Sequence, residues 1–165
     1  MLSLRCLDEA SDQSALQLVL ENAQTYALRV SGLPQAESAA AAIFTALPPG
    51  FQKSKKFVLG IFENSTLIGC MDVLRGFPTE EAAHIGLLLL REDKQASGFG
   101  RDSYALLEKF MKSWTEIKVL RLSVVATNGE VIPFWRKMGF QETGERRPYQ
   151  DGTVSSEAII LKKAF

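Results

Sequence analysis

The residues best placed to do chemistry lie between 95 and 101. There Gln95-Ala96-Ser97-Gly98-Phe99-Gly100-Arg101 separates an apolar run from a helical one. At a helix N-terminus the first amides lack intrahelical partners and the aligned peptide dipoles leave partial positive charge, so an anion is favoured there. Glycine lets the backbone approach a phosphate closely and turn with positive φ, where a side chain would collide. The segment therefore predicts a phosphate-cradling turn built from backbone amides. Two other phosphate loops do not fit. A Walker A loop needs Gly-Lys-Ser/Thr, and Gly100 is followed by Arg101-Asp102. A dinucleotide GxGxxG would put its third glycine at Ser103 and would come straight off a first strand, whereas four charged residues, Arg91 to Lys94, intervene here.

A second constellation follows after a helix and a strand: Asn128-x-x-Val131-x-x-Phe134-Trp135-x-x-x-Gly139-Phe140. Joined in this order to Gln95-x-x-Gly98-x-Gly100, it resembles the GNAT family of N-acetyltransferases over residues 82–142. The resemblance implies an α/β (α+β) fold with one domain over residues 1–165. Its sheet would be mixed and mostly antiparallel, with about seven strands, helices on both faces and a split between the fourth and fifth strands. It implies acetyl-coenzyme A as co-substrate and no metal. The pyrophosphate would be held by Gln95, Ala96, Ser97, Gly98, Phe99, Gly100 and Arg101, chiefly through amides. The backbone of Leu88, Leu89 and Leu90 would pair with the pantetheine arm, with Asn128 bonding it from across the split and Phe134 and Trp135 completing the cofactor side. The side chains of Leu87 to Leu90 themselves read as core.

The expected chemistry is acetyl transfer to an amine by direct attack, with no covalent enzyme intermediate. An amine attacks only when neutral, so an ammonium must first lose a proton. The family often carries a carboxylate where His84 stands, before Ile85-Gly86, and Glu80 and Glu81 lie close by in sequence, so His84, Glu80 and Glu81 are the candidate bases. The family's usual tyrosine four residues before Gly-Phe, the acid for the departing thiolate, is Trp135 here, and an indole N–H is not an acid. Water or Tyr149, in a turn-like run before the last strand, would take that role. The acceptor is a small-molecule or protein amine, placed against the first two helices and the loops at 76–81 and 146–153. The tryptophan also keeps a second reading open, a catalytically inactive coenzyme A-binding sensor of the same fold. A third is a different nucleotide-binding α/β domain.

These residues need elements to hold them. Strands are expected at 2–7, 57–63, 66–75, 82–90, 118–125, 140–146 and 155–163, the second and third joined by a tight turn at Asn64-Ser65. Ala82 to Leu90 is continuously apolar, as a central strand would be. Leu16, Val19, Ala23, Tyr26 and Val30 recur at helical spacing, which predicts one helix capped by Ser11 or Asp12 and ended by Gly32 and Pro34. Further helices are expected over 36–47, 101–114 and 131–138. Pro133 belongs in a helix's first turn, so the last helix should start near Glu130 or Val131 and leave Asn128 free in a bulge.

Composition sets the outer limits. Nineteen basic residues balance nineteen acidic ones among 165, which argues against a nucleic-acid or membrane partner bound by bulk positive charge. An anionic cofactor stays compatible with neutrality when amides supply the local field. One histidine and two distant cysteines, Cys6 and Cys70, make neither a metal centre nor a disulfide framework. The N-terminus lacks a signal-like apolar stretch and no run approaches a bilayer span, so a cytoplasmic location is expected. The family resemblance makes a homodimer one expected assembly; no stripe in the sequence marks its face.

Overall fold

Seven strands form one sheet in the order β1-β2-β3-β4-β5-β7-β6 in a computed structural model that describes residues 1–165. The strands are β1 (Leu2–Cys6), β2 (Lys56–Glu63), β3 (Thr66–Arg75), β4 (Ala82–Leu90), β5 (Val119–Val125), β6 (Gln141–Asp151) and β7 (Val154–Ala164). All neighbours run antiparallel except β4 and β5. The helices are α1 (Glu9–Glu21), α2 (Gln24–Ser31), α3 (Ala39–Thr45), α4 (Phe99–Met111) and α5 (Ile132–Lys137). None is long and apolar enough to cross a membrane.

Alternation along the strands divides the apolar side chains between two faces. One face, with Leu59, Ile61, Met71, Val73, Ile85 and Leu122, packs against Tyr104, Leu107 and Met111 of α4 and Trp135 of α5. The other, with Val58, Cys70 and Leu89, packs against Leu16 and Leu20 of α1 and Ala40 and Phe44 of α3. The mixed sheet with helices on both faces matches the expectation.

Several elements differ from their sequence reading, each for a local reason. The single helix expected across residues 16–30 is two. Asn22 closes α1 by bonding its side-chain amide to the Leu18 carbonyl at 2.8 Å, and Ala23 leaves helical geometry at φ −130°, ψ 46°. The first amides of α2 are met from afar, the Glu92 carboxylate accepting from the Thr25 N–H at 2.6 Å. The cap of α1 is Asp8, whose carboxylate accepts from the Ser11 N–H at 2.9 Å, while Asp12 pairs with Arg5 at 2.9 Å.

β4 is not buried throughout. It opens at Gly86, where the register with β3 shifts between Asp72/Val73 and Leu87/Ile85. β6 runs five residues further than expected because it bulges between Glu142 and Arg146 and lies at the sheet edge, where no apolar alternation marks it. Pro133 sits in the first turn of α5 as expected, and Asn128 lies in a 3-10 turn, Ala126–Val131, with non-helical φ −111°, ψ 27°.

Candidate functional site

The parallel pair β4-β5 is short, and its shortness makes the site. Only Ala82 to Ile85 pair with Val119 to Leu122; beyond them the strands diverge. From Gly86 to Leu90 the edge of β4 that faces β5 has no strand partner, although its other edge stays bonded to β3. Unpaired peptide groups on a strand edge are a template for any extended chain of amides. The gap is a cleft of about 420 Å³, walled by Ile85 to Leu90 on one side and Leu122 to Val125 on the other. α2 roofs it with Thr25, Tyr26, Arg29 and Val30, and Asn128, Val131, Phe134 and Trp135 complete the wall.

The turn at 95–100 stands at the cleft's mouth. Gly98 is the N-cap of α4 at φ 86°, ψ −8°, and no side chain caps the helix, so its first amides stay free. A Cβ at Gly98 would meet only the tip of Arg101, at 3.7 Å. Ala96 also has positive φ, 58°, a conformation costing about 1–2 kcal/mol for a residue with a Cβ. The Gln95 side chain bonds the Leu90 carbonyl at 2.9 Å and the Ser97 hydroxyl bonds the Lys94 carbonyl at 2.9 Å. The first bond ties the turn to the end of β4, and the second ties it to the short 3-10 turn Glu92–Lys94.

Of the residues predicted to contact a cofactor, Leu88, Leu89, Leu90, Gln95, Ala96, Gly98, Gly100, Arg101, Asn128, Phe134 and Trp135 line this one cleft. Ser97 and Phe99 belong to the same turn but not to its wall. Trp135, 7% exposed, packs edge-on against Tyr104 and Phe140.

The predicted catalytic residues stand elsewhere. Glu81 lies at the far end of β4, in a polar hollow with Lys55, Arg75 and Glu116, and its carbonyl accepts from the Lys118 N–H at 2.7 Å. Tyr149 is in β6, not in a loop, and its hydroxyl donates to the Val30 carbonyl at 2.8 Å. His84 is on β4, one residue short of the divergence, on the face of α1 and α3. Its Nδ1 is 3.1 Å from an Arg121 guanidinium nitrogen. Arginine only donates, so Nδ1 accepts and Nε2 carries the ring hydrogen. Burial, then the Arg121 charge, pushes the imidazole down to about 4. His84 is therefore neutral at pH 7 with one lone pair already engaged.

Three groups near the cleft escape the sequence reading. Tyr26 reads as part of an apolar helix face, yet it lines the cleft; burial pushes its phenol up to about 12, with Tyr149, Cys70 and Asp151 adding to the effect. Asp72 and Lys56 form an ion pair at 2.8 Å, the lysine side chain only 3% exposed. Burial raises the Asp72 carboxyl despite the opposing Lys56 charge. Asp72 borders the cleft, since a Cβ on Gly86 would lie 3.3 Å from its carboxylate. Arg121 is the third. Asp72 and Arg121 did leave a signal, a lone charge inside TLIGCMDVLR and VLRLSVV; Tyr26 left none.

A mixed seven-stranded sheet, split at its parallel pair and fronted by a glycine turn, defines the N-acetyltransferase architecture. A family model described as "Acetyltransferase (GNAT) domain" matches residues 9–152, and the chain belongs to that family. Among solved structures, an acetyltransferase from Thermus thermophilus is similar, with TM-score 0.74 and 25% identity over 100% of this chain and 97% of its own. The PaiA N-acetyltransferase of Thermoplasma acidophilum, solved with coenzyme A, has TM-score 0.68 and 21% identity over 100% and 99%. The spermidine N-acetyltransferase of Vibrio cholerae, solved with coenzyme A and spermine, has TM-score 0.74 and 12% identity over 99% and 95%. No curated protein matches the chain in sequence.

Proposed function

We propose that the protein transfers an acetyl group from acetyl-coenzyme A to an amine by direct attack. The observation that carries this reading is one continuous cleft joining an uncapped helix N-terminus to an unpaired strand edge. The first suits a pyrophosphate and the second the amides of a pantetheine arm. The cradle fits the group: Gly98 leaves open space where a side chain would intrude, and the amides of Phe99, Gly100 and Arg101 start the helix without a cap. Similarity to proteins solved with coenzyme A adds support.

In this reading Gln95 to Arg101 hold the pyrophosphate, Leu88 to Leu90 offer their backbone, and Asn128 bonds the arm from across the split. When bound, acetyl-coenzyme A supplies a thioester whose acetyl group is open to an amine. The chain's part is orientation and charge. Backbone N–H groups at the β4 edge that face the thioester oxygen stabilise developing negative charge, each good donor contributing ~2.7–4 kcal/mol in acyl transfer. The phenol of Tyr26 is the cleft's hydrogen-bond donor to the departing sulfur, in place of the acid that Trp135 cannot be, and the proton that completes the thiol comes from water, since burial makes the phenol a weaker acid. The β4-β5 divergence admits the acceptor from the α1-α2 side, where its proton leaves to water.

The test is release of free thiol from acetyl-coenzyme A in the presence of a panel of amines, run beside melting with acetyl-coenzyme A or coenzyme A alone. Stabilisation by both and amine-dependent thiol release is the expected result. Stabilisation without release for any amine refutes transfer, and no stabilisation refutes the cofactor itself.

A further inference from the structure

Arg121 occupies the middle of β5 and is 8% exposed, yet no carboxylate pairs with it. Its one hydrogen bond goes to His84 Nδ1 at 3.1 Å, leaving most of its five donors unused. The acidic group that acts on its charge, Glu145, is held instead by Arg147 at 2.8 Å. Directly across the sheet from Arg121 stands Lys162 of β7. Three cations thus share this patch with one carboxylate that is already engaged. A buried guanidinium is retained in proteins when paired, and here the partner is missing from the chain itself.

Its position says what the partner could be. His84 and Arg121 form the pair just before Ile85 and Leu122, the last residues in register before the strands part. Both lie on the α1-α3 face, and the next residue of β5 on that face, Ser123, lines the cleft. Two residues of strand span about 6.6 Å, so the guanidinium lies within the length of a small molecule from the place where the strands separate. Phe77 stacks edge-on against His84 at 5.7 Å and Phe51 against Phe77 at 5.9 Å, which gives the patch an aromatic flank.

We propose that Arg121, oriented by His84, binds a carboxylate carried by the acceptor amine, so that the acceptor is an amino acid or a peptide with an acidic residue near its free amine. The inference rests on the N-acetyltransferase reading above. A planar carboxylate takes two parallel N–H bonds from a guanidinium, which fixes direction as well as charge. A polyamine would bring only like charge to Arg121, Arg147 and Lys162.

The experiment uses the full chain loaded with coenzyme A. Free amino acids and short peptides with an acidic second residue are each compared with the matching carboxamide, with spermidine as the cationic control. Binding is read as additional thermal stabilisation and by calorimetry, and turnover as thiol release. Carboxylate forms are expected to bind about 10- to 100-fold more tightly than their carboxamides, the range for a hydrogen bond to a charged group. Arg121→Gln should erase that ratio while leaving carboxamide binding and coenzyme A stabilisation unchanged, and Arg121→Lys should restore part of it. Preference for free amino acids or for peptides identifies the source of the carboxylate. Equal binding of carboxylate and carboxamide by the unaltered protein overturns the inference, and this arm holds even where Arg121→Gln fails to fold. Loss of coenzyme A binding would instead overturn the function proposed above.

Discussion

Replacing Gly98 with aspartate tests the phosphate cradle most directly. The residue has φ 86°, and a Cβ there meets nothing closer than Arg101 at 3.7 Å, so the fold has room for the side chain. Left-handed geometry costs a residue with a Cβ about 1–2 kcal/mol, a melting decrease of roughly 2–8 °C for a chain of this size. The new carboxylate stands beside the proposed pyrophosphate. Two like charges 4 Å apart repel by about 1 kcal/mol in water and about 4 at an effective dielectric of 20, so a loss near 100-fold in affinity lies in the middle of the range. Coenzyme A at ~100 times its Kd stabilises the unaltered protein by ~2.7 kcal/mol, roughly 5–11 °C. At the same concentration the variant retains ~0.4 kcal/mol, or about 1–2 °C. Gly98→Ala carries the strain without the charge and should keep most of the shift. A folded Gly98→Asp protein with the full coenzyme A shift would refute the reasoning.

Other residues give independent expectations. Tyr149→Phe removes a hydroxyl committed to the Val30 carbonyl, so melting should fall by the few degrees of a ~1 kcal/mol hydrogen bond while thiol release is unchanged. Tyr26→Phe should do the reverse and lower turnover by the ~10²-fold or more that a positioned hydrogen-bond donor to developing charge contributes; equal turnover by the two variants removes Tyr26 from the mechanism. His84 is held at about 4 in the folded state against 6.5 in the unfolded one. Between those values the unfolded chain binds the extra proton, so stability is complete above 6.5 and falls as pH drops toward 4, by on the order of 3 kcal/mol. Denaturant titrations of His84→Gln across that window should show a flatter profile. Lys56→Met strands the Asp72 carboxylate in a buried site and should cost ~3–5 kcal/mol by denaturant titration, with Asp72→Asn in the same chain recovering much of it.

The glycine turn and much of the cleft wall were legible in the sequence because their information is local. Gly98 takes the left-handed turn that starts α4, Gly100 sits in the first turn of that helix against Phe134, and the spacing from there to Asn128 spans one helix and one strand. The surroundings of the candidates for proton transfer were not legible, since they depend on what the fold sets against each side chain. His84 reads as a titratable base until Arg121, thirty-seven residues away, is found on its Nδ1. Tyr149 reads as a turn hydroxyl until β6 extends through it and places its proton on Val30.

The helix over residues 16–30 shows the same division. Its apolar spacing holds in part: Leu16, Val19 and Ala23 are buried, Tyr26 and Val30 are half-buried and line the cleft, and the axis breaks at Asn22-Ala23. Periodicity records which side chains face the core; it cannot record a cap supplied by Glu92, sixty-seven residues along the chain. By itself the sequence determined the alternation of elements, the apolar run at Ala82 to Leu90 and the anion-favouring turn, all properties of neighbours along the chain. Tertiary structure alone decided where β4 and β5 separate, that α2 roofs the gap, and that Arg121 is buried without a carboxylate. Those outcomes depend on residues brought together from opposite ends of the chain, whose mutual field and burial no local pattern encodes.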